Sequence, residues 1–209
     1  MRPNHDKELL KIFGELYPNP RSELNFRNNY ELVVSVSLSA QCTDKKVNEI
    51  TPHLFSRYDS FAKLEKASLP AVEKIIRPIN YYRTKAKNLI GMACKVVADF
   101  KGELPTGHAD LISLPGVGNK TANVIQSELG SAHTFPVDAH VFRVSKRLAL
   151  AKGKDVLEVE EELRKRFKSN LWRPLHHWLI FHGRRVCKAQ RPLCAECRLA
   201  SLCPSKGRC

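Results

Sequence analysis

The stretch Leu114–Ile125, LPGVGNKTANVI, sets a lysine, Lys120, behind two glycines at the head of a helical pattern. Lysine serves either as a phosphate-binding cation or, when held neutral, as an amine nucleophile. A nucleotide phosphate loop needs Gly directly before the Lys and a buried strand ahead of the loop. Here Asn119 separates Gly118 from Lys120, and the preceding TGHADLIS reads as a short helix, which argues against a nucleoside triphosphate. The second concentration of chemistry is CKAQRPLCAECRLASLC, with Cys187, Cys194, Cys197 and Cys203 in a C-x6-C-x2-C-x5-C spacing. Four thiols in so short a span signal a metal centre. Zinc and an iron–sulfur cluster both accept four cysteines, and spacing alone does not choose between them. Lys188 and Arg191 inside this loop, with Arg184 and Arg185 just upstream, would let a bound metal hold a basic hairpin against phosphates.

Both features need elements to position them. Around LPGVG, Leu114 and Val117 can plug the gap between two antiparallel helices, while Gly116 and Gly118 permit a tight turn and leave backbone N–H groups bare. The first helix is expected to be capped by Thr106 and to run through Leu111. The second starts at Asn119 or Lys120, carries Ala122, Ile125 and Leu129 on one face and ends at Gly130. Its positive end suits a DNA phosphate, so Gly116, Val117 and Gly118 are candidate DNA contacts in a helix-hairpin-helix. A nucleophilic Lys120 further needs desolvation, which a closed pocket would supply, because a free lysine is almost wholly protonated near neutral pH.

Elsewhere Pro, Gly and Asn punctuate segments of mostly helical length, which points to an all-α fold. In the helix expected from Asp155, Asp155 and Glu158 form a capping box, and Val156, Val159, Leu163 and Phe167 an apolar stripe. Glu161 with Lys165 and Glu162 with Arg166 line its wet face. Val33–Ala40, VVSVSLSA, alternates like a strand but lacks a partner, and is read as a buried helix whose serines back-bond or sit at close helix contacts. The 209 residues carry 35 Lys+Arg against 21 Asp+Glu, a formal net charge of +14, so a polyanion is the expected partner. Basic residues are scattered, with no basic amphipathic tail or lipidation motif, which favours nucleic acid over membrane. The N-terminal MRPNHDKELLKIF lacks the apolar core of a secretory signal, so a cytosolic, nucleoid-associated protein with reduced thiols is expected. Of the remaining cysteines, Cys42 and Cys94 are expected in the core or a pocket and Cys209 at a frayed end.

LPGVGNKTANV followed by VDAHVFR, residues 137–143, resembles the helix-hairpin-helix DNA glycosylases, and within them the endonuclease III family over nearly the whole chain. The resemblance implies a bifunctional base-excision repair enzyme that removes oxidised pyrimidines from duplex DNA and nicks the abasic strand, acting as a monomer without membrane association. It implies Lys120 as nucleophile and Asp138 as its assisting carboxylate. Asp138 also sits where it can cap the helix AHVFRVSKRLAL, and a capping carboxylate suits an electrostatic role better than general base catalysis. The family's [4Fe–4S] loop matches 187–203. Gln41, in LSAQCTD, is implied to enter the duplex and Tyr81, in INYYRTKA, to wedge the opposite strand, with His140 a phosphate or pocket contact. Ala139 stands where threonine is usual, Asn119 where arginine is common, Tyr81 where an apolar residue is common, and Asn80 where glycine is usual, Asn being tolerant of positive φ. The implied architecture is a central helical domain, 22–132, with the hairpin, and a discontinuous one, 1–21 and 133–209, with the cluster loop. DNA would bind across the cleft between them. Two rivals remain: a monofunctional glycosylase that uses water, and a non-catalytic DNA-binding module.

Overall fold

The computed structural model describes residues 3–130 and 134–208, so the expectation for Cys209 lies outside the described residues. The chain divides into two compact units, Ser22–Leu129 and a discontinuous one of Met1–Arg21 with Gly130–Cys209. Every regular element among the described residues is helical: α1 Pro3–Leu16, α2 Asn29–Ser39, α3 Asp44–Arg57, the single turn α4 Phe61–Leu64, α5 Leu69–Ile76, α6 Tyr82–Phe100, α7 His108–Ile112, α8 Asn119–Glu128, α9 Ala139–Arg147, α10 Val156–Arg166, a 3-10 turn Ser169–Leu171 and α11 Trp172–Arg185.

The Ser22–Leu129 unit is built on α2, which buries Tyr30 to Val36 and Leu38 and so has no wet face to give it a helical period. Its alternating Val and Ser pattern is therefore compatible with a helix surrounded on all sides. Ser39 Oγ back-bonds to Val36 O at 2.8 Å, as expected for serine in such a helix. Asn28 caps α2 by accepting from Glu31 N at 2.9 Å, and Glu31 in turn accepts Arg27 N at 2.7 Å. Around α2 pack Val47 and Leu54 of α3, Leu89, Met92 and Val96 of α6 and Ala122 and Ile125 of α8, while Val72 and Ile76 of α5 extend the core against α3 and α6. Cys42 lies against this core, as expected, whereas Cys94 is exposed on α6 and not a core residue.

The second unit has its own core, in which Leu9 and Phe13 of α1 meet Val141 and Val144 of α9, Leu163 of α10 and Leu175 and Leu179 of α11. Phe13 stacks on Trp178 at a centroid distance of 5.9 Å, and Trp178 Nε1 donates to Tyr17 O at 2.9 Å. The N-terminal segment is thus fastened to α11 by packing and by a buried hydrogen bond. Asp155 caps α10 through Glu158 N at 2.9 Å, while Glu158 reaches back to Lys154 N at 2.7 Å, one residue before the position a capping box predicts. Val159, Leu163 and Phe167 are buried as expected. Val156 is 46% exposed: it is the first residue of α10, where the core has ended, and it joins the exposed Leu157 instead of the stripe. The Glu161–Lys165 pair forms at 2.6 Å, but Arg166 does not pair with Glu162. Arg166 turns to the Asp6 carboxylate, at 2.6 and 2.9 Å, and to Ala149 O and Leu150 O, while Glu162 accepts Lys152 N at 2.6 Å. A forked carboxylate and two carbonyls satisfy a guanidinium better than a single glutamate does.

Candidate nucleic-acid interface and cysteine loop

The hairpin forms between α7 and α8. Thr106 does not cap the first helix; α7 begins one residue later than that cap requires, with Gly107 as N-cap and no side-chain bond. Thr106 contributes instead through its carbonyl, which accepts Gln126 Nε2 at 2.9 Å and so ties α8 to the segment entering α7. Leu111, Leu114 and Val117 are buried, which makes Leu114 and Val117 the expected plug. Gly116 has φ +81°, and a Cβ there would lie 2.9 Å from Asn88 Cβ, so two separate constraints require glycine. Gly118 is different: with φ −91° and ψ 176° it is ordinary extended backbone, the N-cap of α8 with no side-chain cap. Nothing lies near its missing Cβ. Gly118, Asn119 and Lys120 are all exposed, so the uncapped amides that begin α8 face outward.

Lys120 is the second residue of α8, within the positive end of the helix dipole. It is exposed, so the closed, desolvating pocket expected around it is not formed among the described residues; the helix terminus is. Asp138 is half-buried and is the N-cap of α9, its Oδ1 accepting Val141 N at 2.7 Å. The capping position is occupied as its sequence context implied. Ala139 follows, exposed, and supplies no hydroxyl. His140 is half-buried, its Nδ1 3.2 Å from Arg143 Nη2. A guanidinium donates only, so Nδ1 accepts and the proton of the neutral ring sits on Nε2, ready to donate to an anion.

Gln41 and Tyr81 come from different segments yet line the same pocket, of about 190 Å³, with Lys85, Asn88, Pro115 and Gly116. Both are exposed and both hold left-handed backbone, φ 55° and 58°. Tyr81 is 67% exposed, while Tyr82 packs on the core. The positive φ anticipated at Asn80 falls on Tyr81, because Tyr81 is the left-handed N-cap of α6. Asn80 instead uses its side chain, Nδ2 donating to Gln41 O at 2.7 Å. Lys85 Nζ donates to Leu38 O at 2.8 Å and Ala40 O at 2.6 Å, putting a cation on the otherwise unpaired C-terminal carbonyls of α2. Burial pushes the Lys85 ammonium below the ordinary lysine range. Sequence reasoning missed Asn80 and Lys85 as structural clamps, since their acceptors are carbonyls some forty residues away.

The four cysteines of the loop are free thiols. Cys187, Cys194, Cys197 and Cys203 line one small pocket whose other walls include Leu148, Val186, Pro192, Leu193 and Ala200. Arg147 Nη1 donates to Cys187 Sγ at 3.4 Å, and His182 Nε2 lies 3.5 Å from Cys197 Sγ, so a guanidinium and an imidazole nitrogen approach two of the sulfurs. Burial pushes the Cys197 thiol up, against the Leu199 backbone N–H, and the other three sulfurs push the same way. Among the described residues no three His, Cys, Asp or Glu side chains form a closed metal-binding set. The donor set nevertheless fits a soft metal centre: four sulfurs, apolar walls and a guanidinium N–H directed at sulfur. Arg147 also bonds Lys188 O at 2.7 Å and Ala189 O at 3.1 Å, and Arg143 bonds Cys187 O at 3.1 Å and Gly183 O at 3.0 Å. These two arginines of α9 fasten the loop's first half. Lys188 and Arg191 are exposed on it, Arg191 with φ 50°. No helix among the described residues is long and apolar enough to cross a membrane.

The profile of the HhH-GPD superfamily base excision DNA repair proteins matches residues 34–169. The chain is 46% identical to Endonuclease III of Bacillus subtilis (strain 168) over 195 residues, covering 93% of this chain and 89% of that protein. It is 40% identical to Endonuclease III of Escherichia coli (strain K12) over 201 residues, 96% of this chain and 95% of that protein. A solved structure of a trapped endonuclease III–DNA covalent intermediate, an estranged-adenine complex, superposes with a TM-score of 0.90 at 39% identity, covering 100% of this chain and 98% of that one. The fold is also shared with a thermostable thymine-DNA glycosylase, TM-score 0.83 at 21% identity.

Proposed function

Because this chain belongs to the HhH-GPD superfamily of base excision DNA repair proteins, in its endonuclease III branch, we infer that it is a DNA glycosylase and abasic-site lyase acting on duplex DNA with a damaged pyrimidine. The observation that carries the reading is Lys120 in the first turn of α8, exposed beside uncapped amides directly after a glycine-dependent hairpin. Those amides bind a phosphate and hold the strand by its backbone, a contact that is indifferent to base sequence. The damaged nucleotide is extruded from the stack, with Gln41 and Tyr81 entering the duplex in its stead.

Once the duplex covers Lys120 and strips it of water, the neutral amine forms a bond to C1′ as the glycosidic bond breaks, and the base departs with the bonding electron pair and takes up the proton the amine gives up. Positive charge develops on the sugar, and the Asp138 carboxylate stabilises it. The adduct opens to a Schiff base between Nζ and C1′, which acidifies the C2′ hydrogen. Loss of that proton expels the 3′ phosphate, and water then hydrolyses the imine and restores the lysine. Cys187, Cys194, Cys197 and Cys203 would hold a [4Fe–4S] cluster, which when bound supplies a covalent cross-link that stiffens the basic loop bearing Lys188 and Arg191. A brown protein with broad visible absorbance and stoichiometric iron supports that assignment; a colourless zinc protein overturns it.

Borohydride separates this reading from its rivals. Reduction in the presence of an abasic duplex is expected to yield a covalent protein–DNA adduct that Lys120→Gln abolishes. Base release without capture would mark a water-using glycosylase, and binding without base release a non-catalytic module.

A further inference from the structure

Tyr81 is an odd residue with which to begin a helix. An N-cap is ordinarily extended and satisfies a free amide with its side chain. Tyr81 is left-handed, caps nothing with its ring, and leaves that ring largely in solvent. Gln41, at the end of α2, is likewise left-handed and exposed. Two strained, exposed, non-glycine residues lining one pocket are not explained by stability, and such strain persists only where neighbouring groups over-determine it. The neighbouring groups are identifiable. Cys42 N bonds Ser39 O at 3.0 Å, closing the turn that holds Gln41, and Lys85 N bonds Tyr81 O at 3.0 Å, anchoring the turn that holds Tyr81 to α6. Lys85 fixes the carbonyls of Leu38 and Ala40. The contact that joins the two turns directly is Asn80 Nδ2 to Gln41 O, at 2.7 Å.

We propose that Asn80 is a positioning residue for duplex entry, its side-chain amide locking the Gln41 turn to the Tyr81 turn so that both side chains enter the DNA as one preformed wedge. This rests on the reading of the chain as a base-extruding glycosylase. Pre-organisation is the physical gain: a wedge already in its entering conformation loses less freedom when it fills the gap left by a base. A glycine at position 80 would leave the Gln41 carbonyl without this donor, and the two turns would depend on Lys85 and their own closures.

The test compares the wild-type protein with Asn80→Asp, which keeps the side-chain size but loses the donor, and with Asn80→Gly, which removes the side chain. Single-turnover base release is measured on a fully paired lesion duplex, and borohydride capture on an abasic site opposite a one-nucleotide gap, where no opposing base must be displaced. Fluorescence of 2-aminopurine opposite the lesion reports duplex entry. Both variants are expected to slow base release on the paired duplex by about fivefold to tenfold. Capture opposite the gap should change less than about twofold, the 2-aminopurine signal should fall in step with base release, and the thermal midpoint should stay at the wild-type value. Equal losses on the paired and gapped substrates, or no loss on either, overturn the proposal. Failure of the wild-type protein to release base or to be captured would instead overturn the functional reading beneath it.

Discussion

Asp138 does two things with one carboxylate, and side-chain chemistry can separate them. Its Oδ1 accepts Val141 N and so caps α9, a bond that asparagine makes equally well. The charge, however, belongs to aspartate alone. Asp138→Asn should therefore unfold at the wild-type temperature while base release slows by about a hundredfold. Asp138→Ala should lose the activity and also about 1 kcal/mol of stability, read as a lowered denaturant midpoint. Equal stability of the two variants would mean that the cap contributes nothing. Gly116 permits a similar separation. Alanine there must adopt φ +81° and approach Asn88 at 2.9 Å, so Gly116→Ala is expected to weaken duplex affinity and to destabilise by about 2 kcal/mol. Gly118→Ala meets open space and unstrained backbone, and should cost no more than the exchange of a better N-cap for a poorer one, about 1 kcal/mol.

At the scale of elements, local signals were the legible ones. Asp155 and Asp138 declare their caps within three residues of themselves, and both caps are present. The hairpin was legible because its plug, turn and helix start are contiguous. Arg166 was not: its partner Asp6 lies 160 positions away, and no pattern along α10 distinguishes it from a residue waiting for Glu162. Nor could the left-handed turns at Gln41 and Tyr81 be read, since the side-chain bonds made beside them, from Asn80 and Lys85, cross between segments. The Asp6–Arg166 pair joins the first turn of α1 to the last turn of α10 and has a testable pH signature. Burial pushes the Asp6 carboxyl up, but hydrogen bonds from Arg166 and His5 outweigh it and hold the group below its ordinary value. A carboxylate depressed in the fold stabilises above its unfolded pKa and ceases to do so as pH falls through the folded one. Asp6→Asn should therefore cost about 2 kcal/mol at pH 7. The gap between the wild-type and variant unfolding curves should close as the medium is acidified below the ordinary carboxylate range. A gap that widens on acidification would contradict the sign of the shift.

For the molecule as a whole, the +14 formal charge sets how it meets DNA. Affinity for duplex should fall steeply with salt, with a log–log slope between about −4 and −8. Replacing Lys188 and Arg191 together by alanine should reduce the magnitude of that slope by about 2 if each faces one phosphate. An unchanged slope would remove the cysteine loop from the footprint. The discontinuous unit has a further consequence, for the order in which the protein is made. Leu9 and Phe13 emerge from the ribosome well over a hundred residues before their partners Val141, Leu163 and Trp178. Throughout most of translation the first helix therefore carries an uncovered greasy stripe, while Ser22–Leu129 already holds everything its own core requires. A newborn chain of this protein must keep its head waiting for its tail, and that interval is when a chaperone would find it.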